Sequence, residues 1–181
     1  MTYLSKYLIE EAAAISSSAK NIDGIEVSKA LALLDNCYKY KLKLIVSGVG
    51  KSGIVARKIA ATFSSVGLTS IYLNPLDALH GDIGIVNKND LCILLSNSGE
   101  TSELIEIIPH LKSRQTKCIS LTGNINSTLA KESDVFLCTK VEREICPLNL
   151  APTASTTVSM AIGDALASAW MDRNDVSPEE F

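Results

Sequence analysis

The chain reads as an α/β domain of the doubly wound, Rossmann-like kind, with about five parallel strands flanked by helices. Three observations predict this. Short apolar runs of strand type alternate with helical periodicity along most of the length. Those runs are almost continuously apolar, as strands covered on both faces must be. The first of them stops at a glycine turn that opens a helix, Leu42 to Gly53, with glycines at 48, 50 and 53.

Taken in order, Leu4 to Ala19 places apolar residues at 4, 8, 12, 15 and 19, the spacing of an amphipathic helix. A second helix runs from Ile25 to Tyr38. These two helices either cap the sheet or exchange with a neighbouring subunit. Leu42 to Val46 is the first strand, and Ile54 to Val66 the helix after its glycine turn. Thr69 to Leu73 is the second strand, followed by an irregular segment from Asn74 to Ile85. Leu91 to Leu95 is the third strand, with a helix from about Thr101 to Ser113 that Pro109 is expected to bend. Lys117 to Leu121, a short helix over Ser127 to Lys131, and Val135 to Cys138 follow. A long loop leads to a last helix, Thr153 to Met171, rich in Ala, Ser, Thr and Gly and suited to close helix contacts. Residues 1–40 are thus N-terminal helices and 41–181 the α/β core of a single domain.

The bulk numbers exclude several classes. With 181 residues, 46% of them hydrophobic, the chain can bury one proper core. A net charge of −3 without a long basic run argues against a nucleic-acid partner. No run reaches the roughly 18 apolar residues of a membrane span, and the N-terminus lacks a secretion signal, so a cytoplasmic protein is expected. The five cysteines, at 37, 92, 118, 138 and 146, form no C-x-x-C pair. Those at 92, 118 and 138 fall in strand-like runs and read as reduced, buried thiols, and Cys146 as a packed loop thiol. No metal site is expected from them.

The glycine turn presents backbone N–H groups to an anion. Gly48 and Gly50 let the chain bend and a ligand approach, and Gly53 lets helix and strand pack closely. A nicotinamide dinucleotide is disfavoured, because the second strand ends in Asn74-Pro75 where a carboxylate should hold the ribose. A Walker loop is disfavoured as well, because its first glycine would fall on Ile45. What remains is a glycine turn carrying Lys51, suited to a small phosphorylated ligand. The second signal is stronger. Ser96-Asn97-Ser98-Gly99-Glu100-Thr101 sets three hydroxyls and a helix N-terminus at the end of the third strand. One hydroxyl would satisfy a helix cap, and the surplus reads as a phosphate cradle.

Ser96-Asn-Ser-Gly-Glu-Thr-Ser-Glu103 after an apolar strand resembles the sugar isomerase (SIS) domain, which binds phosphosugars. Gly48-Val-Gly-Lys-Ser-Gly53, Ala78-Leu-His-Gly-Asp-Ile-Gly84 and Cys146-Pro-Leu-Asn-Leu-Ala-Pro-Thr-Ala-Ser-Thr-Thr157 resemble the arabinose 5-phosphate isomerase family within it. The likeness runs from about residue 40 to the C-terminus. It implies interconversion of D-ribulose 5-phosphate and D-arabinose 5-phosphate through an enediol, feeding Kdo synthesis, with no metal or nucleotide cofactor. By the same resemblance Lys51, His80, Glu103 and Glu144 are the catalytic candidates. Glu144 is favoured as the proton-transfer base, His80 for ring opening or proton relay, and Lys51 for oxyanion stabilisation. Ser47, Ser96, Ser98 and Thr101, with Ser52, would hold the phosphate, beside Gly48, Gly50 and Asn97.

The resemblance also implies a homo-oligomer, commonly a tetramer. Family members often carry paired CBS domains after this one, and none is expected here. The sequence stops at Pro178-Glu-Glu-Phe181, where family enzymes continue into a Ser-His-Pro-Gly-Gly segment whose histidine joins the site. The rival readings are a non-catalytic SIS module sensing a phosphosugar or CMP-Kdo, and an isomerase acting on a hexulose phosphate.

Overall fold

The computed structural model describes residues 2–177. Pro178 to Phe181, where the sequence stops, lie outside the described residues. The elements follow in chain order as α1 (Tyr3–Asn21), α2 (Gly24–Lys39), β1 (Leu44–Gly48), α3 (Gly50–Ser65), β2 (Ser70–Leu73), α4 (Pro75–Leu79), a 3-10 turn (Asp82–Ile85), β3 (Leu91–Leu95), α5 (Ser102–Ser113), β4 (Lys117–Thr122), α6 (Thr128–Glu132), β5 (Val135–Cys138) and α7 (Ala154–Arg173). The five strands form one sheet in the order β2-β1-β3-β4-β5. All pairings are parallel, with Leu44 opposite both Ser70 and Leu91.

Period-2 alternation splits the strand side chains between two cores. Leu44, Val46, Ile93, Ile119 and Leu137 join α2, α3 and α7 on one face. Ile45, Cys92, Leu94 and Cys118 join α4, α5 and α6 on the other. Buried Asp90 ties the strand starts together at the amino edge. It accepts the Lys43 N–H at 2.9 Å and the Asn87 N–H at 2.8 Å, and pairs with Lys43 Nζ at 2.9 Å. Cys37, Cys92 and Cys118 are free and buried, and Cys138 is half-buried. Burial pushes the Cys37 thiol up to about 12.

Two expectations need correcting, and the two readings left open for the N-terminal helices can be weighed. The helix after β1 begins at Gly50 rather than Ile54, so Lys51 and Ser52 sit in its first turn. Glycine's low helix propensity hid that start. Asn74 to Ile85 is not irregular: Asn74 Oδ1 accepts the Leu76 N–H at 3.1 Å, Pro75 occupies the first turn of α4, and the 3-10 turn follows. The apolar stripe of α1 does not face the body: Leu4 is 69% and Leu8 60% exposed. Ala14 packs against the core instead, and Glu11 accepts the Thr157 hydroxyl at 3.1 Å, which seats α1 on α7. The helix α5 ends at Ser113, as expected, and continues through Pro109.

The helix α7 meets several partners through its small residues, as expected. A Cβ on Gly163 would overlap the Ile59 side chain, so α3 and α7 touch nearly backbone to side chain. Trp170 is fully buried, with its ring 5.3 Å from that of Tyr38 in an edge-on arrangement. Gly53 has a stricter reason. A Cβ there would lie 2.7 Å from the Gly48 carbonyl oxygen and 2.9 Å from the Tyr72 hydroxyl, which itself donates to that carbonyl at 3.0 Å.

Backbone at 2.7 Å cannot yield as a flexible side chain can. Gly53→Ala is therefore expected to destabilise by about 1–3 kcal/mol in urea denaturation, despite alanine's better helix propensity. Gly24→Ala, with nothing within 4 Å of the new methyl, is expected to be neutral or stabilising by up to about 1 kcal/mol.

Candidate active site

The chain reverses its direction along the sheet between β1 and β3, because β2 lies on one side of β1 and the remaining strands on the other. Ligands of such sheets bind outside the carboxyl ends of the strands at this switch point. Two helices begin there, α3 after β1 and α5 after β3. Gly48 permits the close approach: a Cβ on it would lie 3.0 Å from the Ser52 carbonyl and 3.1 Å from the Leu95 oxygen. Gly50, at φ +58°, turns the chain into α3. The N-cap residue Val49 has no side-chain acceptor, so the first N–H groups of α3 receive no cap.

The cradle after β3 is built the same way. Thr101, the N-cap residue of α5, makes no capping bond. Its hydroxyl pairs with Ser96 Oγ at 2.8 Å instead. Ser96 Oγ also accepts the Gly99 N–H at 3.0 Å, and Ser98 Oγ accepts the Glu100 N–H at 3.1 Å. Gly99, at φ +71°, presses the loop against the end of β4 and the start of α6, where a Cβ would collide with the Thr122 and Ser127 side chains. Glu100 turns away and accepts the Thr128 N–H at 2.8 Å. That hydrogen bond at the start of α6 holds its carboxyl below the usual range.

The third wall is the start of α7. Two N–H groups there are held by one carboxylate. The Thr153 N–H donates to Glu144 Oε2 at 2.7 Å and the Ser155 N–H at 3.2 Å. The Thr153 hydroxyl reaches the same oxygen at 3.0 Å, and the Ser155 hydroxyl donates to Oε1. Burial raises the Glu144 carboxyl, but the hydrogen bonds from Ser155 and Thr153 outweigh it and hold the group below the ordinary carboxylate range. In the same loop Cys146 Sγ accepts the N–H groups of Leu150 and Ala151, each at 3.1 Å. Those backbone bonds lower its thiol.

Between these walls lies a cavity of about 310 Å³. Of the residues singled out in the sequence, Lys51, Ser52, Ser96, Asn97, Ser98 and Thr101 line it together. Gly48 and Gly50 shape the turn beside it. Ser47 is spent elsewhere: fully buried, it donates to the Leu73 carbonyl at 2.7 Å across the β1–β2 pair. His80 is exposed at the C-cap of α4. Glu103 is half-buried in the first turn of α5 and accepts the Ser102 hydroxyl at 3.1 Å. Glu144 stands behind Ser155 rather than among the lining side chains. Sequence reasoning missed Ser155, Thr156 and Ser159, which complete the wall. Their density of hydroxyls was visible, but it read as helix packing.

The bonds to Glu144 carry a pH signature. Its folded pKa lies below its unfolded one, so its contribution is fully present above the ordinary carboxylate pKa and is lost as pH falls through the folded value. Glu144→Gln is expected to lower the melting temperature at pH 7. The gap to the unaltered protein is expected to narrow as pH falls below the ordinary carboxylate range and the glutamate is itself protonated. Thermal unfolding across that range checks this; a gap independent of pH contradicts it.

Comparison with known proteins meets this geometry. The model of the SIS domain family matches residues 38–169. Arabinose 5-phosphate isomerase KpsF of Escherichia coli O6:H1 (strain CFT073) is 44% identical over 181 residues, all of this chain and 54% of that protein. The chain thus spans about half the length of the curated relatives it matches. A crystal structure from Bacteroides fragilis NCTC 9343, described as a phosphosugar isomerase involved in capsule formation, superposes with a TM-score of 0.91 at 42% identity, covering 98% of this chain and 92% of that one. The E. coli CFT073 protein c3406, in complex with arabinose 5-phosphate, superposes with a TM-score of 0.91 at 36% identity and the same coverage. With the family model spanning most of the chain, and the sheet order, glycine turn and serine cradle all present, the chain belongs to the SIS domain family.

Proposed function

We propose that this chain is the catalytic domain of an arabinose 5-phosphate isomerase, interconverting D-ribulose 5-phosphate and D-arabinose 5-phosphate. The observation that carries the reading is the cavity where the uncapped starts of α3 and α5 meet Ser96, Ser98 and Thr101, with Lys51 beside them. A phosphate there would take N–H and O–H donors from both helices, the positive ends of two helix dipoles, and a cation. Identity to relatives of that activity, and the complex of a 36% identical neighbour with arabinose 5-phosphate, support the substrate.

The chemistry asks little else of the site. From ribulose 5-phosphate a base removes a proton from C1, and the electron pair forms the C1–C2 double bond of an enediolate. A proton returned to C2 and transfer of the hydroxyl proton from O1 to O2 complete the aldose. Atoms and electrons balance without an external oxidant or reductant. Lys51 is proposed to stabilise the enediolate oxygen. Proton transfer is proposed for Glu103 and His80, whose side chains are less engaged than that of Glu144: Glu103 takes one bond from Ser102, and His80 makes no side-chain hydrogen bond among the described residues. A carboxylate that already accepts from two N–H groups and two hydroxyls is a poor base, and Glu144 is proposed to anchor the wall. The product would feed Kdo synthesis in the cytoplasm. A homo-oligomer is supported by the exposed Leu4 and Leu8 on α1, which a second subunit would cover.

One observation favours a second reading: among the described residues, the side chains lining the cavity include no carboxylate or imidazole, as suits a phosphosugar sensor. Incubation with D-ribulose 5-phosphate, followed by NMR, separates the two. The isomerase reading expects arabinose 5-phosphate to accumulate, with Lys51→Ala lowering kcat/KM by roughly 100-fold or more. Tight phosphosugar binding without turnover would overturn it in favour of the sensor.

A further inference from the structure

The loop between β5 and α7 ties itself together in two layers. The inner layer is the Glu144 carboxylate, which gathers the N–H groups and the hydroxyls of Thr153 and Ser155. The outer layer is a turn over Cys146 to Ala151. The Cys146 carbonyl accepts the Asn149 N–H at 2.8 Å, and its sulfur accepts the N–H groups of Leu150 and Ala151 at 3.1 Å each. Asn149 takes the left-handed conformation there, at φ +53°, which asparagine tolerates better than most residues. From that position its Oδ1 accepts the Glu144 N–H at 2.7 Å. Asn149 is exposed and stands outside the residues that line the cavity.

We propose that Asn149 is the positioning residue of Glu144: by holding the backbone of the glutamate, it aims the carboxylate at the start of α7. The catalytic consequence rests on the isomerase reading above; the positioning does not. The reason is mechanical. A glutamate carboxylate hangs several rotatable bonds from its own backbone, so it holds two N–H groups in place only where that backbone is itself fixed. Thr153 Oγ1 accepts the Ile145 N–H at 3.1 Å, but Thr153 belongs to the start of α7 and moves with what Glu144 holds. Arg143 Nε donates to the Glu144 carbonyl at 3.2 Å from an exposed, neighbouring side chain. The bond from the Glu144 N–H to Asn149 is shorter than either, and it leads to a turn that closes on itself. From Glu144 the effect passes to Ser155, whose hydroxyl donates to the carboxylate, and Ser155, Thr156 and Ser159 form the cavity wall on α7. A turn outside the cavity thus sets the place of side chains inside it.

Two substitutions separate the hydrogen bond from the turn. Asn149→Gly keeps the left-handed backbone and removes the acceptor, whereas Asn149→Asp keeps both. Amide hydrogen exchange on the unaltered chain and the two variants tests the positioning. Asn149→Gly is expected to speed exchange of the Thr153 and Ser155 N–H groups by about 10-fold or more, the worth of a hydrogen bond to a charged acceptor. The Thr157 N–H, which donates to the Thr153 carbonyl at 2.9 Å within α7, is expected to stay within about two-fold. Asn149→Asp is expected to keep all three protected. Unchanged exchange at Thr153 and Ser155 in Asn149→Gly, or a uniform rise along α7, overturns the proposal: Glu144 then keeps its place without Asn149, or Asn149 is a general stabiliser. With D-ribulose 5-phosphate, Asn149→Gly is expected to lower kcat by about 10-fold with KM within about three-fold, and Asn149→Asp to restore it. Lost protection with kcat unchanged would remove Asn149 from the reaction. If the unaltered chain does not turn over the sugar, the isomerase reading fails, and the exchange of Thr153 and Ser155 still decides on Asn149.

Discussion

The pairing of β1 with β2 on one side and β3 on the other is the constraint on which the site depends. A parallel strand must be followed by a crossover, and right-handed crossovers leaving in opposite directions put their helices on opposite faces. The helix α3 therefore lies in the core with α2 and α7, and α5 in the core with α4 and α6. Both begin at the same crevice. Neither Val49 nor Thr101 supplies a cap, so backbone donors at two helix starts are left without a side-chain partner where the strands end. Gly48, Gly53 and Gly99 are the local cost of that convergence, each standing where a methyl group would meet other atoms of the protein.

The contrast with α7 sharpens the point. Three helices begin around the cavity, and at the third the N–H groups of Thr153 and Ser155 are taken up by Glu144. An anion is thus directed to one side. The α7 wall offers the hydroxyls of Ser155, Thr156 and Ser159, whose protons are spent within the protein. A cavity lined by donors, a cation and hydroxyl oxygens together suits a ligand that carries both a phosphate and hydroxyls. The polarity is set by backbone direction, Lys51 and the carboxylate of Glu144.

Much of this was legible in the sequence, for reasons that particular residues make clear. The strands were found because both faces of the sheet are covered, which makes runs such as Leu91 to Leu95 apolar throughout. The cradle was found because Ser96, Ser98 and Thr101 exceed what one helix cap needs. The start of α3 was misplaced because propensity counts Gly50 and Gly53 against a helix, whereas the close packing on β1 demands them. The stripe on α1 was seen but not its direction: periodicity tells which residues share a face, not what lies opposite. Glu144 was reached only through the family resemblance, because Glu142-Arg143-Glu144 by itself looks like a solvated charged loop. Its partners Thr153 and Ser155 are brought to it only by the turn of the intervening chain. Ser47 shows the converse error, a hydroxyl beside the glycine turn that the strand pairing consumes.

The most direct test of the central claim is a titration with inorganic phosphate followed through backbone amide resonances. If two uncapped helix starts hold the anion, the amides of residues 50–53 and 98–103 shift together and saturate at one common concentration. Those of Thr153 and Ser155, already bound to Glu144, stay in place. Shifts confined to α7, or to the lysines around the opposite edge at Lys112, Lys117 and Lys131, would contradict the account.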